Sequence, residues 1–171
     1  MLVSSVSTKK PVHKIGFFVL PLFMEATQDP EIIKRETHAL DKETIDELIK
    51  LAHTPSQERS GKLHMENFVR NEMKFVRQGD KVIIFRYSNL HSAAALVSDM
   101  KAEDAGVLRY DPNTKQFNIY GGSSSLDIPE DNPNRGQSVY IIGNKIHEFR
   151  PEIPVTQIKD QVQSRAGMMT E

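Results

Sequence analysis

Apolar positions recur at helical spacing in the first part of the chain and crowd into short runs in the second, with the change near Gln78. Ile45, Leu48, Ile49 and Ala52 fall at i, i+3, i+4 and i+7, which predicts one buried helix face, with Asp41 as its cap and Pro55 as its stop. Upstream, Asp29-Pro30 suits a helix start, with Ile32, Ile33 and Leu40 as sparse apolar anchors. A further helix is predicted from Ser60, with Met65, Phe68, Val69 and Met73 on one face. Gln78-Gly79-Asp80 then turns the chain into extended structure.

Four strand-like runs follow: Val82 to Ser88, Ala93 to Asp99, Val107 to Tyr110 and Gln116 to Tyr120. Asp111-Pro112-Asn113-Thr114 reads as a hairpin turn, with Pro112 presetting its second position. Gly121 to Ser125 and Pro129 to Gly136 read as loops. Val139 to Ile142 and Lys145 to Phe149 flank Gly143-Asn144, which predicts a second, inserted hairpin. Val155, Ile158 and Val162 suit one face of a short C-terminal helix over 154–164. The expected class is α+β, a central antiparallel sheet flanked by helices. Residues 1–55 form an N-terminal extension, 56–165 one domain with an insertion at about 122–150, and 166–171 a disordered tail.

Composition narrows the chemistry. The chain has 171 residues, 38% apolar and 26% charged, enough for one domain with a core. Lys plus Arg (22) nearly equals Asp plus Glu (23), so no basic field points to nucleic acid, and any anion specificity rests on a few placed cations. Cysteine is absent, which excludes thiol catalysis and cysteine zinc sites. No apolar run has the length of a membrane helix, so no membrane insertion is expected. Lys9, Lys10, His13 and Lys14 precede the apolar Ile15 to Met24. That stretch has two readings: a signal peptide over 1–26 with a mature start near Thr27, or a short strand after a Ser/Thr-rich tip.

The most telling residue is Arg86, placed after Val82-Ile83-Ile84-Phe85, since an arginine in a buried strand needs an anion to meet it. Its planar fork can hold two phosphate oxygens, which a lysine cannot reproduce. Ser88 and the amides of Asn89 and Leu90 can close round the remaining oxygens, with His91 and Ser92 as further donors. Arg109 can lie along an aromatic ring. Each also has a plain structural reading. Arg86 can reach a carboxylate while its stem covers apolar surface, Ser88 can end a strand, and Arg109 can pair with Asp99 or Asp111. Among the histidines no HExxH spacing occurs, and Gly121-Gly122-Ser123 lacks the Gly-x-Ser-x-Gly elbow, so neither a metal nor a catalytic residue is expected.

The ordered series resembles a Src-homology-2 domain. Ile83-Ile84-Phe85-Arg86-Tyr87-Ser88 is similar to the family's aromatic-Leu-Val-Arg-x-Ser strand, and Ala95-Leu96-Val97-Ser98-Asp99 to its Ala-Leu-Ser-Val-x-Asp strand. Val107-Leu108-Arg109-Tyr110 matches Val-x-His-Tyr with arginine for histidine, and Lys115 to Tyr120 is close to Gly-Gly-Phe-Tyr-Ile. The chain departs from the family in having no Trp, and in the hairpin predicted before its last helix.

The resemblance implies a non-catalytic module that needs no cofactor and binds tyrosine-phosphorylated proteins or peptides through Arg86, Ser88, Asn89, Leu90, Ser92 and Arg109. A basic residue on the preceding helix, Lys62 with Arg59 as the alternate, would complete the clamp. A stand-alone module of this kind resembles bacterial effectors secreted into a host cytosol. The alternative is a secreted or periplasmic interaction domain with a cleaved N-terminal signal and no phosphotyrosine binding.

Overall fold

The computed structural model describes residues 29–54 and 72–159. The predicted N-terminal strand, the signal segment, the helix from Ser60 as far as 71, Arg59, Lys62 and the tail lie outside the described residues. Within them the chain is α+β, built on a six-stranded mixed sheet flanked by helices.

The first helix, α1 (Pro30–Arg35), starts where Asp29 accepts the amide of Glu31, with proline in the first turn. After β1 (Thr37–Ala39), α2 (Lys42–His53) opens with a capping box between Asp41 and Thr44, and buries Ile45, Leu48 and Ala52 as the spacing predicted. The sheet continues through β2 (Glu72–Gln78) and β3 (Lys81–Arg86), joined at Gly79, whose φ of 53° suits glycine. Met73 therefore belongs to a strand, and not to the helix predicted from Ser60.

Two expected β-segments are helices. The run at 93–99 falls in α3 (His91–Val97), with Ala94 and Ala95 buried and Leu96 80% exposed. Three alanines and a leucine are strong helix formers, and a short apolar run does not by itself fix the period. The inserted hairpin is replaced by α4 (Arg135–Phe149), in which Ser138, Ile141, Ile142 and Ile146 line one buried face. Gly143 is a packing site and no turn: a Cβ there would sit 3.8 Å from that of Val155.

The other strands are β4 (Asp104–Asp111) and β5 (Gln116–Tyr120), a hairpin across the predicted Asp111 turn, and β6 (Val155–Gln157). Val155 to Gln157 are thus a strand where the start of a C-terminal helix was expected. Strand β6 runs parallel to β5, tied by Phe117 N to Pro154 O and Ile158 N to Ile119 O, both 2.9 Å. Parallel neighbours need a crossover, which α4 supplies, so the sheet is mixed where an antiparallel one was expected.

The strand order is β1-β3-β2-β4-β5-β6. Alternation gives each face its own core. Phe75, Val82, Ile84, Leu108, Phe117 and Ile119 pack under α2 and α4, while Val76, Ile83, Phe85 and Ala105 pack under α1 and α3. Gly106 keeps the first face open: a Cβ there would meet Tyr120 O at 2.7 Å and Arg135 Nη2 at 3.1 Å.

Candidate functional site

The candidate residues gather at the end of the sheet where β2 begins and β3 and β4 end. Register decides which of them meet. Arg86 stands opposite Met73, and Met73 opposite Leu108, whereas Arg109 stands opposite Glu72. Side chains alternate between faces, so Arg86 shares the face of Met73 and Leu108, and Arg109 lies on the other. The two arginines do not face one pocket.

Arg86 meets an anion of the chain itself. Its Nη1 donates to Glu36 Oε1 at 2.5 Å, and Asn89 Nδ2 donates to Glu36 Oε2 at 3.1 Å. Glu36 ends α1 just before Thr37, which pairs with Phe85, so the register carries Glu36 to Arg86. The structural reading, a strand arginine reaching a carboxylate, describes this pair. Asn89 is 3% exposed, its amide bonded to Arg86 O, which fixes the turn through the exposed Ser88. Leu90 precedes α3 without a side-chain cap bond. Ser92 turns elsewhere, its amide donating to Ser125 Oγ at 3.2 Å. His91 is 5% exposed, with Nε2 3.0 Å from Gly106 O and its ring edge-on to Phe85, and burial holds its pKa down to about 4.

The opposite face carries a group that sequence reasoning missed. Lys74 Nζ donates to Asn89 O at 2.9 Å and lies 5.0 Å from the centre of the Tyr87 ring. Burial lowers its pKa, and its hydrogen bond is to a carbonyl, not a carboxylate. Beside it Arg109 Nη1 stands 3.9 Å from Glu72 Oε1, at the limit of an ion pair, and Arg109 Nε has no hydrogen-bond partner. Tyr120, opposite Val107, has its hydroxyl buried near Glu72; burial and then the Glu72 carboxylate push its phenol up. Glu72, Lys74 and Arg109 share a face with both tyrosines near them. The signal in sequence was the alternation Glu72-Met73-Lys74-Phe75, legible once 72–78 is read as a strand. Glu36 left no such signal.

At the far end of the sheet two arginines are sealed. Arg135 donates Nε to Asp104 Oδ2 at 2.7 Å and Nη2 to Asp104 Oδ1 at 3.0 Å and Ala105 O at 2.9 Å. Asn132 Nδ2 adds 2.8 Å to Asp104 Oδ1. Arg77 donates Nε to Ser138 Oγ at 2.7 Å and Nη1 to Glu103 at 2.8 Å. Among the described residues no cluster of three or more His, Asp or Glu could hold a metal ion, and no helix is long and apolar enough to cross a membrane. No family model, curated protein or solved structure matches this chain.

Proposed function

We propose that the chain is a non-catalytic binding module that takes a phosphorylated tyrosine of a partner protein onto the face carrying Lys74 and Arg109. The observation that supports it most is the pairing there. Lys74 has a carbonyl and a ring but no carboxylate, and Arg109 has an outstretched contact with Glu72 and one free Nε–H. A phosphate brings about −1.5 to −2 charge and three acceptor oxygens, the complement of that deficit. Lys74 and Arg109 are diagonal neighbours on adjacent strands, roughly 7–8 Å apart at Cα, a span that both heads can close on one phosphate.

Support for tyrosine as the phosphorylated residue comes from the resemblance of the strand ending at Arg86 and from the rings of Tyr87 and Tyr120 beside the cations. On this reading Arg86 is a positioning residue: held by Glu36, it fixes the Asn89 turn whose carbonyl aims Lys74. The partner is a tyrosine-phosphorylated protein, of host origin if the chain acts as a secreted effector. The test is fluorescence anisotropy with phosphotyrosine, phosphoserine and unphosphorylated peptides. Binding confined to the phosphotyrosine peptides supports the module; no binding by folded protein rejects it.

A further inference from the structure

The sheet ends in β6, and the outer edge of that strand is bare. In a parallel ladder alternate residues of a strand turn their backbone groups toward the neighbour. Phe117 N bonds Pro154 O and Ile158 N bonds Ile119 O, so Pro154, Thr156 and Ile158 serve β5, while Val155 and Gln157 turn amide and carbonyl outward. Among the described residues no hydrogen bond reaches those outward groups. An edge of this kind is a template for a further strand. Helix α4 borders the same edge. His147 Nε2 lies 2.8 Å from Ile153 O, a Cβ on Gly143 would sit 3.8 Å from that of Val155, and Gly136 lines one cleft with Lys159. Tyr140 falls on that stripe, four residues after Gly136 and three before Gly143, and is 69% exposed. An unpaired backbone edge and an exposed aromatic ring therefore lie side by side.

This edge is complementary to itself. Laid antiparallel on a second β6, Val155 and Gln157 each exchange two backbone bonds with the partner's Gln157 and Val155, about a two-fold axis at Thr156. Helix α4 runs alongside with Gly143 at the level of Val155 and Tyr140 near Gln157, so the axis sets Tyr140 across from the partner's Gly143. A bulky ring then meets a residue without a side chain. The same register brings the exposed Lys159 beside the partner's Glu152, also exposed and of opposite charge. We propose that the chain forms a two-fold dimer through β6, which joins two sheets into one and seats Tyr140 of each copy on the α4 helix of the other.

The test is sedimentation velocity of the full chain over a concentration series, with variants at the edge. The expected result is a reversible dimer with Kd of about 1–100 μM, as suits a short edge. Gln157→Pro removes an outward N–H and keeps the bonds to β5, so it should weaken the dimer at least about tenfold with Tm unchanged. Tyr140→Asp, at an exposed position, should do the same, and decides the matter if the proline variant does not fold. The chain has no cysteine, so Thr156→Cys supplies a single thiol. Facing residues that share no hydrogen bond have Cα atoms about 4.5 Å apart, within disulfide reach, so mild oxidation should link Thr156→Cys into a covalent dimer and leave Asn113→Cys, on the hairpin turn, unlinked. A monomer at every concentration up to about 500 μM overturns the proposal and leaves the edge to another protein or to residues 160–171 of the same chain. A dimer that keeps its affinity in the folded edge variants, or that cross-links no faster through Thr156→Cys than through Asn113→Cys, overturns it as well.

Discussion

The two ends of the sheet both set arginines against carboxylates, yet they differ in how much water they keep. At the Asp104 end the pair is closed: Asp104 is 0% and Arg135 2% exposed, with two parallel bonds between them and Asn132 on the remaining oxygen lobe. At the Glu36 end the partners are about a quarter exposed, and across the sheet Arg109 barely touches Glu72. A sealed pair holds a structure because neither partner can be lost without burying a bare charge. A wet, incompletely matched set can exchange a partner for a ligand, which is what recognition requires.

The largest expected effect lies at the sealed end. Asp104→Ala leaves Arg135 buried and unpaired and should cost about 3–5 kcal/mol in urea unfolding. A cost near 1 kcal/mol would erase the contrast between the ends. His91 lies between them, under the influence of Lys74, Arg135 and Asp104. Its pKa is about 4 in the folded chain against 6.5 for an ordinary solvated histidine, so between these values the unfolded chain binds a proton that the folded chain refuses. Stability is therefore full above pH 6.5 and falls as pH drops, by about 3 kcal/mol at pH 4. His91→Phe should flatten that slope. Asp104 and Asp41, whose pKa values are lowered, add their losses only below the usual carboxylate range, so the two windows separate in a pH series of unfolding curves.

Smaller effects sharpen the wet end. Glu36→Ala takes a carboxylate from the partly exposed Arg86 and leaves the Asn89 side chain short of one acceptor, and should cost about 1–2 kcal/mol, well below Asp104→Ala. Arg109→Ala, which removes a weak ion pair, should change stability by less than about 1 kcal/mol in the same assay.

The parts of the fold that were legible are those where local chemistry and periodicity agree. Asp41 with Ile45, Leu48 and Ala52 marks α2, Gly79 the turn into β3, and the Asp111 turn the hairpin of β4 and β5. Where apolar runs are short, periods of two and of about four fit equally well. The alanine run before Leu96 and the isoleucines around Gly143 read as strands, though both are helices. That difference carries into the site. With a helix between β3 and β4, the spacing from Arg86 to Arg109 says nothing about parity, and register places them on opposite faces. Glu36 and Asp104 were illegible because they meet their arginines 50 and 31 residues away in sequence.

One measurement tests the proposed function most directly: anisotropy titration of a phosphotyrosine peptide with wild type, Lys74→Met, Arg109→Ala and Arg86→Ala. Loss of a charge-assisted contact should weaken binding about tenfold to a hundredfold in Lys74→Met and Arg109→Ala, with a smaller loss in Arg86→Ala. Full affinity in Lys74→Met and Arg109→Ala, with binding abolished only in Arg86→Ala, would contradict the assignment and move the phosphate to the other face of the sheet.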